Sequence, residues 1–568
     1  MFTPATTEQR FVLDHVVRLS EISDEATPDL VDAVLEGAGQ FAAGEWAPLE
    51  RLGDTQGPKW TPEGVKMPEG FPAAYKAFVE GGWGTIGSPA DFGGQGLPVS
   101  LSVAVLETLG TANMGFALAP ILTVGAVEAL THHGSAEQQA LYLPKLATGE
   151  WSGTMILTEP QAGSDVGALK TKAEPAGEGK WKIKGTKIFI SFGDHDMVDN
   201  IVHLVLARTP GAPAGTKGLS LFLVPKYRLN ADGTPGAFND IRVVSIEHKM
   251  GLHASPTCVL SFGDNDDCIG ELIGPEFGGI RAMFTMMNNA RLNVGLQGVQ
   301  VAERATQRAV AYARERIQSA RAGSASRDSV AIIEHPDVRR MLLRMKAQTQ
   351  AARALVYYAF GQLDRAHKGI EGAQAMVDLL TPLAKAHGTD IGNEVASLGI
   401  QVHGGMGYIE ETGAAQHFRD ARITPIYEGT NGIQAADLVG RKLSMDNGAT
   451  MLGLLAKMRA EAESPVLLQL VDTCDEVARY LLGAETDDRL AASYPFLTML
   501  STAVCGWLLE DQGRIAARSE GEPKFLKMKQ TVARFYVEQI VPEALGLKAA
   551  AMAKADVLYA VEAEAFAA

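Results

Sequence analysis

The spacing of apolar residues changes twice along this chain. Over the first 150 residues it is helical, as in Ala33-Val34-Leu35-Glu36 and Leu101-Ser102-Val103-Ala104-Val105-Leu106-Glu107. Gly81-Gly82-Trp83-Gly84 and Gly93-Gly94-Gln95-Gly96 punctuate it; neither follows a clear strand, so both read as turns rather than phosphate loops. From Met155 to Phe262 apolar and polar residues alternate and β-branched types are favoured. Strands are predicted at Trp181–Gly185, Lys187–Ser191, Ile201–Leu206, Leu219–Val224 and Thr257–Phe262. Short strands with no long helix between them predict a compact β-barrel or sandwich. After Gly278-Gly279 the helical repeat returns, with Leu292, Leu296 and Val299 leading into 305–316. Further helices are predicted over Val338–Ala366, with Asp337 placed to cap after Pro336, and over Gly372–Leu398, ending before Gly399. An alanine-rich helical block fills Thr450–Ala568.

The fold class is therefore multi-domain α with a central β domain. An N-terminal helical extension (1–40) and helical domain (41–154) precede a β-barrel or sandwich (155–277). A helical bundle (278–445) and an additional helical domain (446–568) follow. The length of 568 residues fits this division, since it exceeds what one core organises.

Composition narrows the function classes. No apolar run is expected to reach the roughly 18 residues that span a bilayer. The first residues, Met1-Phe2-Thr3-Pro4-Ala5-Thr6, lack a basic and then apolar leader, so a cytoplasmic location is expected. Cys258, Cys268, Cys474 and Cys505 are too scattered for a disulfide framework or a zinc cluster and read as buried thiols. A net charge of −16 argues against nucleic acid or an anionic membrane as the main partner.

The chemistry centres on Ile423-Thr424-Pro425-Ile426-Tyr427-Glu428-Gly429-Thr430-Asn431. Glu428 stands in an apolar run before a glycine turn, and the nearest upstream basic residue is Arg422. A poorly solvated carboxylate gains proton affinity and can act as a general base near neutral pH. A lone Glu-Gly is more often a loop glutamate facing water, so the reading rests on the other motifs. These are Leu157-Thr158-Glu159-Pro160-Gln161-Ala162-Gly163-Ser164-Asp165, Glu247-His248-Lys249-Met250-Gly251-Leu252, Gln401-Val402-His403-Gly404-Gly405-Met406-Gly407-Tyr408, and Arg419-Asp420.

Together, in this order and on this architecture, the motifs resemble the acyl-CoA dehydrogenase family of flavoproteins over roughly Phe41 to Arg441. The C-terminal extension resembles the family's larger bacterial branch. The resemblance implies FAD as cofactor and an acyl-CoA thioester as substrate. A glutamate at the position of Glu428 removes the α proton, the β carbon gives a hydride to the flavin, and a trans-2-enoyl-CoA results. Electrons then pass to an electron-transferring flavoprotein. The Glu428 amide would help hold the thioester oxygen. Some members place the base just before the arginine that Arg291 resembles; Ala290 stands there and cannot serve.

For the cofactor, the resemblance matches Leu157, Thr158 and Ser164 to a flavin-binding loop and Phe189, Ile190 and Ser191 to the strand stacked on the ring. Many relatives carry tryptophan at Phe189, and on its own Phe189 reads as barrel core. Gln401, Gly404 and Gly405 match the turn that receives the adenine end of a neighbouring subunit's FAD. Arg316 matches an arginine pairing with the pyrophosphate across a dimer, whereas Arg308 and Arg314 read as surface charges. Thr430 and Asn431 are expected near the flavin phosphates. On the substrate side stand Arg291, Tyr427, Gly429 and again Ser164. Full desolvation of Glu428 is expected only once an acyl chain binds. His403 reads as a packed histidine, and no metal site is expected.

The departures bear on the subunit contacts. Ile317-Gln318-Ser319-Ala320 replaces the usual Phe-Gly after Arg316, and the loop to Glu334 is long. A homodimer is expected, with the extra helices covering the face of a second pairing. Two other readings share the fold: an acyl-CoA oxidase, and a DNA-binding alkylation-response flavoprotein. The acidic residues Glu461, Glu463, Asp472, Asp475 and Glu476 disfavour the latter. Short thioether, medium straight-chain and aryl-propionyl groups all remain open as acyl chains, because the depth of Phe116, Phe284, Met287 and Tyr408 decides pocket size.

Overall fold

A computed structural model describes Phe2 to Ala568. The chain forms two compact units, one of Phe2–Thr6 with Glu25–Ala290, the other of Thr7–Asp24 with Arg291–Ala568.

The first unit opens with helices whose ends are written in the sequence. In α1 (Pro28–Phe41) Thr27 caps the start and Pro28 fills the first turn. Helix α2 (Val99–Ala112) is followed at once by α3 (Met114–His133), where the Asn113 side chain accepts from the Phe116 amide at 3.2 Å. Ser135 and Gln138 form a capping box at α4 (Ala136–Thr148). Trp46 stacks on Phe116 with ring centroids 4.2 Å apart, and Phe71 and Tyr75 close around the same ring. Helix α3 corrects one expectation: it is long and apolar enough to cross a bilayer, with a mean hydropathy of 1.6 over 18 residues. That window is 78% buried inside the protein, so its apolarity serves the core.

The β domain is one eight-stranded sheet built from β1 (Ser152–Ile156), β2 (Lys172–Gly177), β3 (Lys180–Ser191), β4 (Ile201–Arg208), β5 (Leu219–Pro225), β6 (Ile241–Ile246), β7 (Thr257–Phe262) and β8 (Ile269–Ile273). Their order is β6-β7-β3-β8-β5-β4-β1, with β2 beside β3. The two strands expected over 181–191 are one. Its first residues pair with β8 and the stretch Gly185–Ser191 pairs with β7, so β3 joins both halves of the sheet. Alternation then sorts side chains between two cores. Val202, Leu204 and Leu206 of β4 join Leu219, Leu221 and Leu223 against α3 and α4. Val205 and Ala207 meet Phe222, Val224, Leu260 and Phe262 on the other face.

In the second unit three long helices dominate: the part of α5 (Gly279–Glu315) from Arg291 onward, α6 (Pro336–His367) and α7 (Ala373–His403). Pro336 takes the first helical position of α6, which moves Asp337 inward; it pairs with Arg340 instead of capping. Helix α7 runs past Gly399 to His403, since glycine within a well-packed helix costs only about 1 kcal/mol. Glycines let α5 and α7 cross almost backbone to backbone. A Cβ on Gly298 would lie 2.0 Å from the Gly388 carbonyl oxygen, and one on Gly295 2.6 Å from that of Ala384. Arg353 is fully buried and pairs with Glu303 at 2.9 Å.

The extension packs into this same unit through α12 (Ser493–Arg518) and α13 (Pro523–Phe535). Lys529, in α13, donates to Glu8 at 2.7 Å, Gln512 at 2.6 Å and Gln350 at 3.3 Å. One buried ammonium thus ties the N-terminal segment to the bundle and to the extension. The glycine crossing gives a direct test: Gly298→Ala should lower the unfolding free energy by about 1–3 kcal/mol in denaturant titrations. An unchanged midpoint and slope would contradict so close an approach.

Candidate active site

The turn after α8 (Ala414–Ala421) presents Glu428. Thr424 is fully buried and its hydroxyl donates to the Ala421 carbonyl at 2.7 Å; the Asn431 amide donates to the Pro425 carbonyl at 2.9 Å. These bonds pinch the loop, and Glu428 takes a left-handed φ of 55° followed by Gly429 at 82°. A non-glycine residue held there costs on the order of 1–3 kcal/mol, and such strain gathers at functional sites. The next helix, α9 (Asn431–Asp437), starts at once, capped by the Thr430 hydroxyl, which accepts from the Ile433 amide at 3.1 Å.

Burial pushes the Glu428 carboxyl up to about 7, against the pull of Arg291 and Lys385. The side chain itself is only half-buried, so part of the desolvation precedes any acyl chain and part is left to a ligand. Nothing nearby in sequence neutralises Glu428; both cations come from distant helices that the glycine crossing brings together. Arg291 is buried, its Nε has no hydrogen-bond partner, and its Nη2 lies 3.8 Å from where a Cβ on Gly429 would stand. Tyr427 hydrogen-bonds through its hydroxyl to Gln297, and burial with the Glu428 charge raises its pKa. Tyr427 is half-buried, with its hydroxyl held by Gln297.

Lys385 went unnoticed in the sequence. It lies in the apolar stretch Leu379-Leu380-Thr381-Pro382-Leu383-Ala384-Lys385-Ala386, and a lysine there with no acidic neighbour was the available signal. It is fully buried, and desolvation pulls its pKa down to about 7 against the opposing charges of Glu428 and Asp390. Its ammonium donates to Asn431 Oδ1 at 2.9 Å. Asn431 Nδ2 donates to Asp390 Oδ1 at 2.8 Å, Thr389 Oγ1 at 2.9 Å and the Ala386 carbonyl at 3.1 Å. The Asn431 side chain therefore has no valence left for a flavin phosphate, and the role expected for it is replaced by an internal one.

In the β domain, Glu159 and Lys187 form a buried ion pair at 2.9 Å. Lys187 also donates to the Leu157 carbonyl at 2.8 Å, and Glu159 accepts from Thr171 Oγ1 at 2.6 Å and from the Lys170 and Thr171 amides. Burial opposes the Glu159 charge, but Lys187 and these donors outweigh it and hold the carboxyl at about 2. The loop carrying Leu157, Thr158 and Ser164 is anchored in this way. Phe189 is not barrel core: it is 60% exposed, at a left-handed φ of 59°. Ile190 alternates inward and packs in the second core with Cys258 and Leu260, so its side chain is no flavin contact. Ser191 and Thr158 are half-buried and Ser164 is exposed.

At the end of α7, Gln401, Gly404 and Gly405 are exposed, and a Cβ on either glycine would meet nothing within 4 Å. His403 Nδ1 bonds the Gly399 carbonyl at 2.7 Å and its ring stacks on Tyr312, a packing role as expected. Arg308 is not a surface charge: its Nη1 donates to the Thr412 carbonyl at 2.7 Å and its Nε to His417 at 3.1 Å, fixing the turn after Gly404. Arg316 is exposed. Met406, Tyr408 and Ile409 stand out beside the same turn, Tyr408 with 86% of its surface exposed.

Four family models match the chain in sequence: acyl-CoA dehydrogenase N-terminal domain over residues 31–150, middle domain over 154–265, C-terminal domain over 278–443, and an acetyl-CoA dehydrogenase C-terminal-like domain over 448–562. A 3-methylmercaptopropionyl-CoA dehydrogenase of Ruegeria pomeroyi is 45% identical over 562 residues, covering 94% of this chain and 95% of that protein. The chain belongs to the acyl-CoA dehydrogenase family. A butyryl-CoA dehydrogenase of Syntrophomonas wolfei is 38% identical, with 91% of this chain and 90% of that protein covered. A crystal structure of an acyl-CoA dehydrogenase complexed with FAD from Bacillus anthracis shares the fold, with a TM-score of 0.76 at 23% identity over 99% of this chain and 93% of that one.

As an acyl-CoA dehydrogenase the chain is an FAD-dependent oxidoreductase acting on CH–CH bonds. Its β domain fits that cofactor. Phe189 offers an uncovered apolar ring on a strained backbone, which is what a stacked isoalloxazine would cover. Thr158, Ser164 and Ser191 carry hydroxyls that would suit its polar edge. If the Glu159–Lys187 pair sets this loop, Glu159→Gln should cost about 3–5 kcal/mol by leaving a buried ammonium unpaired, and Glu159→Gln with Lys187→Met should recover much of it. The carboxyl sits below its unfolded value of about 4.3, so its contribution is complete above that pH and is lost as pH falls through about 2. Denaturation between pH 5 and about 2 should show this loss in the parent and not in the double variant; equal slopes would contradict the pairing.

Proposed function

We propose that the enzyme α,β-dehydrogenates a short acyl-CoA of the 3-methylmercaptopropionyl type, with Glu428 as the base. The observation that carries the reading is a glutamate poised to titrate near 7 on a strained turn between two buried cations. The near full-length likeness to a 3-methylmercaptopropionyl-CoA dehydrogenase supports the thioether chain.

The chemistry requires a base that is ionised in the resting enzyme yet basic enough to take a weakly acidic α proton. A pKa near 7 meets both demands; an ordinary carboxylate would be too weak a base. Arg291 and Lys385 keep the ionised form within reach despite burial. The Glu428 backbone N–H is the chain's own donor for the thioester oxygen, where negative charge gathers as the α proton leaves. The left-handed turn gives Glu428 both tasks, proton acceptor through its side chain and donor through its amide. Arg291, whose Nη2 approaches Gly429, is assigned to the substrate side of this turn. FAD, when bound, supplies the acceptor for the β hydride. Its ring is assigned to Phe189 and Ser191, and its phosphates to Ser164 and the Thr430 region by backbone. Ala290 offers no competing base.

Electrons are assigned to an electron-transferring flavoprotein, as the family resemblance implies. The exposed Gln401, Gly404, Gly405 and Arg316, with Met406 and Tyr408 beside the turn, support a homodimer in which these residues meet the partner's cofactor.

Two measurements test the reading. Glu428→Gln should retain FAD and bind acyl-CoA but lose at least about 1,000-fold in flavin reduction, as an amide cannot accept the proton; a normal rate would refute the assignment. In the parent, single-turnover flavin bleaching by 3-methylmercaptopropionyl-CoA should rise with pH through about 7, because the base acts only when deprotonated. A flat profile from pH 5 to 9 would contradict it, and preference for a long-chain or aryl acyl-CoA in a substrate panel would overturn the thioether assignment.

A further inference from the structure

From the C-terminal extension a continuous hydrogen-bonded path runs inside the second unit to Lys385, whose charge acts on Glu428 through space. The Tyr494 hydroxyl, at the start of α12, donates to Asp390 Oδ2 at 2.6 Å. The other oxygen of Asp390 accepts from Asn431 Nδ2 at 2.8 Å, and Asn431 Oδ1 accepts from Lys385 Nζ at 2.9 Å. The direction of this path is fixed. An ammonium can only donate and an ionised carboxylate only accept, so the Asn431 amide has one allowed orientation. Lys385 is fully exposed to none of the solvent and Asn431 is 3% exposed, so the central links are shielded and their charges are felt strongly.

We propose that Tyr494 is a positioning residue for the reaction: the extension uses it to hold Asp390 ionised, and through Asn431 and Lys385 this sets the protonation of Glu428. The inference rests on Glu428 being the base.

Four cations and three carboxylates surround the path. Lys385 faces Glu428, Asp390 and the like charge of Arg291. Arg291 itself faces Asp437, Glu428 and Arg441. Asp390, besides Tyr494 and Lys385, feels Arg422. Burial is the largest influence on Asp390 and raises its pKa; the Tyr494 and Asn431 hydrogen bonds and the two cations oppose this. Tyr494 is therefore the extension's share in keeping that carboxylate charged. Without its hydroxyl Asp390 gains proton affinity, Lys385 loses a negative neighbour and surrenders its proton more readily, and less positive charge remains to ionise Glu428. Each step moves the base in one direction, toward a higher pKa.

The test is the pH dependence of single-turnover flavin reduction in the holoenzyme, with an acyl-CoA that the parent oxidises. Tyr494→Phe should shift the acid limb upward by about half a pH unit or more, with FAD content and the rate above the limb close to those of the parent. Asp390→Asn, which removes the anion and keeps its shape, should shift the limb further the same way. A uniform fall in rate at every pH would mark Tyr494 as structural only and overturn the proposal, as would profiles superimposable on the parent's. If the Phe variant folds poorly, the Asn variant decides by the same criteria. A parent that no acyl-CoA reduces, or a fully active Glu428→Gln, would instead sink the functional reading; an active parent with inert Glu428→Gln and unmoved Tyr494→Phe and Asp390→Asn profiles sinks this inference alone.

Discussion

A base that abstracts a weakly acidic carbon proton must be withdrawn from water and still ionise near neutrality. With Glu428 as the proposed base, the second unit meets this constraint with two buried cations rather than one. Desolvation alone would carry Glu428 too far toward its neutral form, and a tight ion pair would hold it too acidic. Arg291 and Lys385 act on it from two helices, and neither makes a direct hydrogen bond to its carboxylate. The result is a carboxyl near 7. The glycine crossing of α5 and α7 follows from the same need, since helices separated by ordinary side chains would hold the two cations farther apart.

Two buried charge systems in the molecule illustrate opposite uses of the same physics. Glu159 and Lys187 are in direct contact, saturated with donors, and fixed in charge. Their task is to hold the loop that bears Leu157, Thr158 and Ser164. Around Glu428 the charges are spread, and the polar capacity nearest to it is left open, including the unpartnered Nε of Arg291. A saturated network rigidifies a scaffold, whereas an open one keeps a titrating group responsive.

Much of this was legible in the chain because the signals are local. The turn Thr424–Asn431 carries its own pinching residues, and the β-branched and apolar runs of β4 and β5 mark them as strands of the central domain. The order of the motifs along the chain is by itself characteristic of the family. What escaped depends on contacts between distant segments. Lys385 reads as an ordinary helix lysine until α5 packs against α7. Asn431 was matched to the flavin phosphates, with Thr430, by the family resemblance of the motif; only tertiary packing shows its side-chain amide spent on α7. Phe189 was ambiguous because a strand residue faces core or solvent according to register, and its left-handed φ breaks the simple alternation. Met114–His133 escaped as an apolar span because its small residues and Pro120 disguise its continuous burial.

The extension has a physical role that its composition did not suggest. Lys529 joins it to the bundle and to the N-terminal segment, Arg344 of the bundle pairs with Glu543 at 2.6 Å, and Tyr494 reaches Asp390. It is therefore a structural part of the unit that carries Glu428. The most direct measurement of the central claim is the titration of the Glu428 carboxyl in the resting holoenzyme, by infrared difference spectroscopy against Glu428→Gln. Subtracting that variant isolates Glu428 from Glu128, a second carboxyl that burial raises to about 7. The account predicts a protonated carboxyl band that disappears with a midpoint near 7 before any substrate is added. A midpoint between about 4 and 5, the ordinary range of a solvated glutamate, would contradict it.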